Sequence, residues 1–417
     1  MATGVITRDM MGFLDEVNKG FGKGAITRLS EQPPVQRIPT GITELDIALG
    51  GGWVRGGINL VWGKKSAGKT SLITRAIQQA QLLDRHTGMP LGDPALDYTS
   101  DLPLEPEYYS DEGELVDFAT AHEPDKKVKE DMSVAAPMVL KKGYMASEVQ
   151  EAMNAGVVNA EQTFDLKWAR DAIGADPSGI HMINTDTAED AIDIVDSAIR
   201  KNALDLIIID SLAMLTPSKE TEETAHNWQQ ALQPRLLSKA FRMWVSSLAS
   251  YRGDPSRPTL LLVNQVREKT NVKYGSPEIK PGGRAQDFAL SIEVFLSQGS
   301  IQDEDYAAKD AHQLVHRTNY RVTWNKTHPK GKKGQYLMAI SKFKDYRPGN
   351  IVEWATLIDL FKKYGMLVQV KSKWELVGKP FPTQKALLAW AIKNPADFEF
   401  YRRALVDLVV KLDAGYL

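Results

Sequence analysis

The sequence contains no cysteine, no long apolar run and little net charge, and each of these absences excludes a class of protein. Without cysteine among its 417 residues, the chain has no disulfide framework, thiolate zinc site or cysteine nucleophile, which suits a reducing cytoplasm. No apolar run approaches the roughly 20 residues that span a bilayer, and the N-terminal MATGVITRDMMGF lacks a signal-peptide core. We therefore expect a soluble, cytoplasmic protein with no membrane partner.

The balance of charges also limits what the chain can bind. A formal net charge of −2 and a pI near 6.4 give no overall attraction to nucleic acid, so any such contact must rest on local clusters of Lys and Arg. The hydrophobic content of 43% is ordinary for a globular protein, and the length allows one large core with appendages or two to three domains.

The strongest motif is GKKSAGKT at residues 63–70, which has the spacing of a phosphate-binding loop. A strand-like run, INLVW, precedes it, and a segment with helical periodicity, SLITRAI, follows it. At a helix N-terminus, unpaired N–H groups and the helix dipole attract an anion, and glycine lets the backbone approach it closely. We expect the phosphates of a nucleotide here, with Lys69 at the β- and γ-phosphates and the Thr70 hydroxyl on Mg²⁺, and the resemblance given below implies that the nucleotide is ATP. The predicted nucleotide contacts are Gly63, Lys64, Lys65, Ser66, Ala67, Gly68, Lys69, Thr70 and Ser71.

Two later strands end in polar side chains. LDLIIIDS at 204–211 is an unbroken aliphatic run, typical of a strand buried on both faces of a parallel sheet, and it ends in Asp210. Nucleotide–metal chemistry in doubly wound sheets occurs at the C-terminal ends of central strands, so Asp210 is the natural Mg²⁺ partner of Thr70. TLLLVNQ at 259–265 repeats the pattern with a polar end. The sequence thus predicts an α/β protein with a mainly parallel central sheet.

The chain divides into three predicted regions. Residues 1–38 hold a short amphipathic helix and a strand, too little for a core of their own, and residues 39–345 carry the alternating strands and helices. A Pro-, Asp- and Glu-rich insertion at about 86–152 interrupts the alternation and is either a solvated surface excursion or a docking lobe. Residues 346–417 predict a small α-rich domain.

Some finer elements are also predicted. In the C-terminal domain, helices are expected at about 351–363 and 384–392. An antiparallel extension of the sheet is expected from β-like runs near 291–296, 320–324 and 336–341.

Eight segments, taken in order, resemble the bacterial and phage RecA recombinases. They are FGKGAITRL at 21–29, DIALG at 46–50, GKKSAGKT at 63–70, Ala160–Glu161, LIIIDSLAML at 206–215, Thr216–Pro217, Asn264–Gln265 and GSPEIKPGG at 275–283. The ordered set is more specific than any single motif and covers nearly the whole chain outside the insertion. It implies a RecA-like ATPase core that forms a helical filament on single-stranded DNA and pairs it with homologous duplex DNA in recombination and repair. Residues 1–38 are then an oligomerisation segment, and mediator or single-strand-binding proteins are further implied partners.

The resemblance assigns roles to further residues. Glu161 matches the carboxylate that orients or activates the attacking water, and a Glu at the end of a strand beside the phosphate loop can reach it. Gln265 matches the polar sensor that couples the γ-phosphate to the DNA-binding loop. Asp165 and Trp168 are implied nucleotide contacts, with Trp168 where the family places an aromatic side chain against adenine. A core or interface tryptophan is the alternative for Trp168.

Two loops of the family line the filament axis, and basic residues lie at both positions in this chain. Arg235, Lys239 and Arg242 are four and three residues apart, so they share one helix face that either contacts phosphates or is solvated. The second loop is a Gly- and Pro-rich stretch at 266–288, predicted to be mobile, which suits phosphate contacts with an aromatic wedge or stacking platform. Its expected DNA contacts are Lys269, Lys273, Tyr274, Lys280, Gly282, Gly283 and Arg284.

The chain departs from the family at Trp324–Asn325–Lys326, where two lysines usually flank the Asn and are expected to reach ATP across the subunit interface. Lys326 is the lysine that remains there. Candidates for the second are Lys330, Lys332 and Lys333. The insertion, together with an LDAGYL end in place of the family's acidic tail, favours a phage-encoded or otherwise divergent member.

Two other functions stay open on sequence grounds. The first is a ring-forming motor such as a helicase on the same core, and the FGKGAITRL segment argues against it because in the recombinases this segment packs on the adjacent subunit. The second is a non-catalytic DNA-binding scaffold with a vestigial nucleotide site. The residues that count against a scaffold are Lys69, Thr70, Asp210 and Glu161.

Overall fold

The structure of the chain is a computed structural model. It describes residues 35–88, 151–219, 232–251, 256–268, 278–281, 285–300, 314–342 and 346–413, with a few isolated positions outside these ranges. FGKGAITRL and most of the insertion lie outside the described residues. So do five of the predicted DNA contacts, Lys269, Lys273, Tyr274, Gly282 and Arg284.

An eight-stranded sheet forms the centre of the described structure. Its strands, in chain order, are β1 (Ile58–Gly63), β2 (Ala155–Asn159), β3 (Ile180–Ile183), β4 (Leu206–Asp210), β5 (Thr259–Gln265), β6 (Ile292–Gln298), β7 (Val315–Asn325) and β8 (Lys333–Ala339). Their spatial order is β8-β7-β6-β1-β5-β4-β2-β3. From β6 to β3 neighbouring strands are parallel, whereas β7 and β8 are antiparallel additions at one edge. The predicted α/β class with a mainly parallel sheet is confirmed.

Helices cover both faces of this sheet. The helices are α1 (Thr43–Leu49), α2 (Lys69–Gln81), α3 (Ala188–Arg200), α4 (Leu232–Ala249), α5 (Ala285–Ala289), α6 (Trp354–Lys363), α7 (Gln384–Lys393) and α8 (Pro395–Asp413). Successive β4 side chains point to opposite faces, so Ile208 belongs to the core cluster that includes α1 and α2, while Ile207 and Ile209 belong to the cluster that includes α3 and α4. This two-sided burial explains why β4 and β5 read as continuous aliphatic runs. No helix in the described part of the chain has the length and apolar character of a membrane span.

Short elements complete the described structure. Single-turn helices occur at Trp168–Ile173, Pro177–Gly179 and Leu212–Met214. Two-residue strands pair Arg37–Ile38 with Trp53–Val54, Tyr108–Tyr109 with Leu115–Val116, and Arg267–Glu268 with Glu278–Ile279. A separate three-stranded sheet contains β9 (Leu367–Val370), β10 (Lys373–Leu376) and β11 (Lys379–Phe381).

The predicted antiparallel extension is right for two of its three runs. β7 and β8 are antiparallel, but β6 pairs in parallel with β1 along Ile292–Leu296. The chain passes from β5 to β6 through a long crossover that includes α5. Such a crossover brings the chain back to the end of the sheet at which β5 began, so that β6 runs in the same direction as β5. β6 is therefore the last strand of the parallel part of the sheet.

The C-terminal region contains the two predicted helices, as α6 and α7, and two features that the sequence reading missed. These are the sheet β9–β11 and the 19-residue α8, the longest helix in the described chain. Arg402 of α8 is buried and donates to Asp46 of α1 at 2.6 Å and to Glu399 at 2.7 Å. A buried ion pair thus joins the C-terminal helix to the core, while the domain boundary at 345/346 stays a prediction.

The insertion leaves and re-enters the core at one place. Asp84 and Ala152 form an antiparallel bridge, and Met153 N donates to Leu83 O at 3.1 Å. The Asp84 carboxylate accepts from Thr87 N at 2.8 Å and from Glu151 N at 3.0 Å. Although burial acts to raise it, these hydrogen bonds hold the pKa of Asp84 below its ordinary value. The residues on both sides of the predicted boundaries at 86 and 152 are therefore hydrogen-bonded to each other where the insertion joins the core.

We expect that replacing residues 89–150 with a short Gly/Ser linker leaves the protein folded. The bridged residues are already adjacent, and a shorter loop costs less closure entropy, so the free energy of unfolding should equal the parent's or exceed it by up to about 2 kcal/mol. Urea denaturation measures this. In the same shortened chain, Asp84→Ala should cost about 1–3 kcal/mol, because the N–H groups of Thr87 and Glu151 lose their charged acceptor. Insoluble expression of the shortened chain would show that the insertion is part of the core.

Candidate functional site

The phosphate-loop motif joins β1 to α2, as the motif predicts, and its two end glycines serve different purposes. Gly68 adopts φ +84° as the residue before α2, a conformation that L side chains rarely take. At Gly63, a Cβ atom would lie 2.1 Å from the carbonyl oxygen of Leu296, so glycine there admits the neighbouring strand β6. This packing contact by itself requires glycine at position 63, while the contact of Gly63 with a phosphate stays a prediction.

Lys69 lies against the backbone of this loop. Its Nζ donates to the carbonyls of Gly63 at 3.2 Å and Lys64 at 2.7 Å. Burial lowers the pKa of Lys69, while the Glu161 and Asp210 carboxylates oppose that change. The loop side chains of Lys64, Lys65 and Ser66 are exposed, Ala67 is buried, and Ser71 is partly buried.

The predicted pair for Mg²⁺ is in contact. Thr70 Oγ1 donates to Asp210 Oδ2 at 3.1 Å, and Asp210 Oδ1 is buried with no hydrogen-bond partner in the described structure. Burial raises the pKa of Asp210 to about 6, the Glu161 charge adds to this rise, and Thr70 and Lys69 act against it. A hydroxyl beside a carboxylate with an unused oxygen is an oxygen donor set that fits Mg²⁺.

Glu161 follows β2 and faces the same edge of the sheet. Its Oε1 accepts from Gln265 Nε2 at 2.5 Å and from the Ser211 hydroxyl, and its backbone N donates to Asp210 O at 3.1 Å. The strands β1, β5, β4 and β2 are consecutive and parallel, so their C-terminal ends meet here. The residues predicted to bind phosphate, hold metal and orient water thus converge on one edge.

Asp165 and Trp168 belong to a turn packed beside α2. Asp165 is exposed, and its Oδ1 accepts from Trp168 N at 3.0 Å, which holds the start of the Trp168–Ile173 turn. The Trp168 ring is partly buried against the core cluster that contains α2. These contacts account for a structural role of both residues, and their contact with adenine stays a prediction.

Comparison with known proteins agrees with this geometry. The family model for the RecA N-terminal domain matches residues 8–102 and 136–341, and the break falls within the predicted insertion. Protein RecA of Streptomyces avermitilis is 31% identical over 327 residues, which cover 78% of this chain and 66% of the relative. Protein RecA of Frankia casuarinae is 29% identical and that of Corynebacterium glutamicum 29%, over 85% and 91% of this chain and 79% of each relative. The chain belongs to the RecA family.

The predicted membership of the RecA family is therefore confirmed, and the matches do not favour a ring-forming motor or a scaffold. The chain spans about two thirds of the length of the Streptomyces relative. The family match ends at residue 341, so α6, α7 and α8 lie beyond it.

Within this RecA-family fold, the first basic cluster is arranged as predicted. Arg235, Lys239 and Arg242 lie on α4, and all three side chains are exposed on one face. Gln233 at the start of α4 donates to the carbonyl of Leu215 at 2.9 Å, which ties the helix to the chain after β4. Their contact with DNA stays a prediction.

The second cluster is placed differently. Gly283 is exposed and near the start of α4, but Lys280 is partly buried and its Nζ lies 2.8 Å from Asp287 Oδ1 and also contacts Glu293. The Lys280 ammonium thus has two carboxylate partners within this chain, and its contact with DNA stays a prediction.

At Trp324–Asn325–Lys326 the chain departs from the family pattern, and three lysines in or near this segment have partners within this chain. Lys326 Nζ donates to Phe288 O at 2.8 Å, and burial lowers the pKa of Lys326. Lys330 lies over the Trp324 ring at 5.0 Å and Lys332 pairs with Asp413 at 3.1 Å. Lys333 is exposed, and which lysine reaches across a subunit interface stays a prediction.

Three residues of the site were not predicted from the sequence. Ser211 donates to Glu161, and its place directly after Asp210 was a usable signal. Thr318 Oγ1 donates to Ala67 O at 3.3 Å, and His316 lies 3.7 Å from the point where a Gly68 Cβ would be. Burial lowers the pKa of His316. Thr318 and His316 both lie on β7, about 250 residues from the phosphate loop along the chain, and no local sequence pattern marks them.

Proposed function

We propose that this RecA-family chain is a DNA-dependent ATPase that assembles as a helical filament on single-stranded DNA and exchanges strands with homologous duplex DNA. The observation that carries the proposal is the convergence of Lys69, the Thr70–Asp210 pair and the Glu161–Gln265 pair at one edge of the sheet. Each pair has a distinct task in phosphoryl transfer, which depends on positioning and charge stabilisation.

The phosphates would bind where the loop backbone and the N-terminus of α2 already favour an anion. Lys69 exchanges its loop carbonyls for phosphate oxygens and places a positive charge beside them. Thr70 and Asp210 would hold Mg²⁺, which neutralises charge on the β- and γ-phosphate oxygens when bound. Glu161 accepts a hydrogen bond from the attacking water and increases its nucleophilic character.

Gln265 links this chemistry to DNA in the proposal. Its side chain contacts Glu161, and it is the last residue of β5, from which the chain enters the second predicted DNA loop. A change in that loop can therefore shift a direct hydrogen-bond partner of the catalytic carboxylate. This supports a turnover rate that depends on DNA.

The test is ATP hydrolysis with and without single-stranded DNA, together with electron microscopy in a slowly hydrolysed ATP analogue. We expect DNA-stimulated hydrolysis and helical filaments, both lost in Lys69→Ala because the ammonium that would contact the phosphates is removed. Rings in place of filaments would favour the motor. Filaments without hydrolysis would favour the scaffold.

The DNA contacts predict a specific salt dependence. The log–log slope of affinity against salt is about −0.7 per phosphate neutralised on single strands, so Arg235→Ala and Arg242→Ala should each flatten the slope by about 0.7. Tyr274→Ala should weaken binding by about 1–3 kcal/mol and leave the slope unchanged, because stacking is not ionic. Binding of a fluorescent oligonucleotide across a salt series measures both, with Lys201→Ala at an exposed position after α3 as the control. Parental slopes and affinities in every variant would mean that these residues do not face DNA.

A further inference from the structure

The chain between β5 and α5 is fixed at its two ends. Arg267–Glu268 pairs antiparallel with Glu278–Ile279. The carbonyl of Pro281 accepts from Asn264 Nδ2 at 2.8 Å and from Gln286 Nε2 at 3.0 Å. We call residues 264–268 and 278–281 the loop base.

Lys280 joins the loop base to the sheet. Its Nζ lies 2.8 Å from Asp287 Oδ1 and contacts Glu293 Oε2 on β6. The side chains of Lys280 and Glu293 are only 15% and 9% exposed, and the second oxygen of Glu293 accepts from Thr323 Oγ1 at 2.8 Å. Removing Lys280 leaves the nearly buried Glu293 carboxylate without its counter-charge, a strongly unfavourable change.

A continuous line of contacts leads from this ion group to the catalytic carboxylate. Pro281, the neighbour of Lys280, is held by Asn264, whose Oδ1 accepts from Gln265 N at 2.9 Å. Gln265 Nε2 in turn donates to Glu161 Oε1 at 2.5 Å. Substitution of Lys280 at one end of this line measures how strongly the two ends are coupled.

We propose that Lys280 is a positioning residue that anchors the loop base to β6 and so couples the second loop to Glu161. The coupling, but not the anchor, rests on the proposed DNA-dependent ATPase. Lys280 does not neutralise a DNA phosphate. To do so its ammonium would have to leave both carboxylates and expose an uncompensated Glu293.

The experiment compares the parent with Lys280→Met, Lys280→Arg and the charge swap Lys280→Glu/Glu293→Lys, with Lys201→Met as the control at an exposed position. In the protein without nucleotide or DNA, Lys280→Met should speed hydrogen exchange at loop-base amides by about 10-fold, because local opening becomes easier. Single-stranded DNA should stimulate its ATP hydrolysis about 10-fold less. The salt slope of DNA binding should keep the parental value, and Lys280→Arg and the charge swap should restore exchange and stimulation.

Two results would overturn the anchor. Unchanged hydrogen exchange in Lys280→Met would show that the ion group does not hold the loop base, whatever the activity. A slope flattened by about 0.7, without rescue by the charge swap, would identify a phosphate contact. A parent protein that hydrolyses no ATP overturns the proposed function and the coupling, and the exchange measurement still decides the anchor.

Discussion

Glu161→Gln should lower the rate of ATP hydrolysis at least about 100-fold, the effect expected for losing a catalytic acid or base. Glutamine keeps the length of the side chain and an oxygen that can accept from Ser211 and Gln265, but it has no negative charge to draw a proton from water. ATP affinity should stay near the parental value, because Lys69 is unchanged. Steady-state hydrolysis with saturating single-stranded DNA, alongside direct measurement of ATP binding, separates the two effects.

The matched control for this change is Asp193→Asn, which also replaces a carboxylate by an amide but at an exposed position on α3. It should hydrolyse ATP like the parent. If Glu161→Gln does so too, another group orients the water and the role of Glu161 is wrong. Loss of ATP binding in Glu161→Gln would instead show that this side chain mainly shapes the pocket.

Asp210→Asn should weaken the use of Mg²⁺ and change how the stability of the metal-free protein depends on pH. Without its charge the site should need about 10–100-fold more Mg²⁺ for ATP hydrolysis, the range found when groups that orient or support a metal are removed. A magnesium titration of ATP hydrolysis measures this shift. A parental magnesium requirement would show that Asp210 does not support the metal.

The effect on stability follows from the proton that Asp210 holds in the folded protein. Burial, with the Glu161 charge, raises the pKa of Asp210 from 3.8 to about 6. Between these two values the folded state binds a proton that the unfolded chain has released, so this group makes stability fall as the pH rises through that window. Without Mg²⁺, the stability of Asp210→Asn relative to the parent should therefore rise by about 1–2 kcal/mol between pH 5 and pH 8.

Urea denaturation of both proteins at the two pH values, in the presence of a chelator, provides this comparison, and the pH 5 measurement is the reference. A stability difference that does not change between pH 5 and pH 8 would mean that the buried charge is well compensated by Lys69 and Thr70. In that case desolvation does not dominate at this position.

Much of the nucleotide site could be predicted because its signals are local. The GKKSAGKT spacing carries the phosphate loop, and the aliphatic runs ending in Asp210 and Gln265 mark buried parallel strands. Parallel strands have their C-terminal ends on one edge, so the meeting of Glu161 with both residues follows from strand identity. The direction of β6 was harder to predict, because its sequence has the same apolar character whether the strand runs parallel or antiparallel to β1.

Charged residues show where local reasoning ends. Lys280 has the same neighbours in sequence whether its ammonium meets a phosphate or a carboxylate, and only the folded chain brings Glu293 to it. Arg402 likewise finds its partner Asp46 at the other end of the chain. α8 lacks a clear polar face in its sequence because it buries side chains against both the C-terminal sheet and the core.

By itself, the sequence determined the α/β class, the phosphate loop and the acids that accompany it, because spacing and hydrophobic period are properties of neighbouring residues. Tertiary structure alone decided that Gly63 admits β6, that Ser211 and Gln265 share one oxygen of Glu161, and that Lys280 is paired with carboxylates. These contacts join residues that are not sequence neighbours and lie on different elements of the fold. Their energies depend on burial and on which charges meet, and no local sequence pattern encodes either.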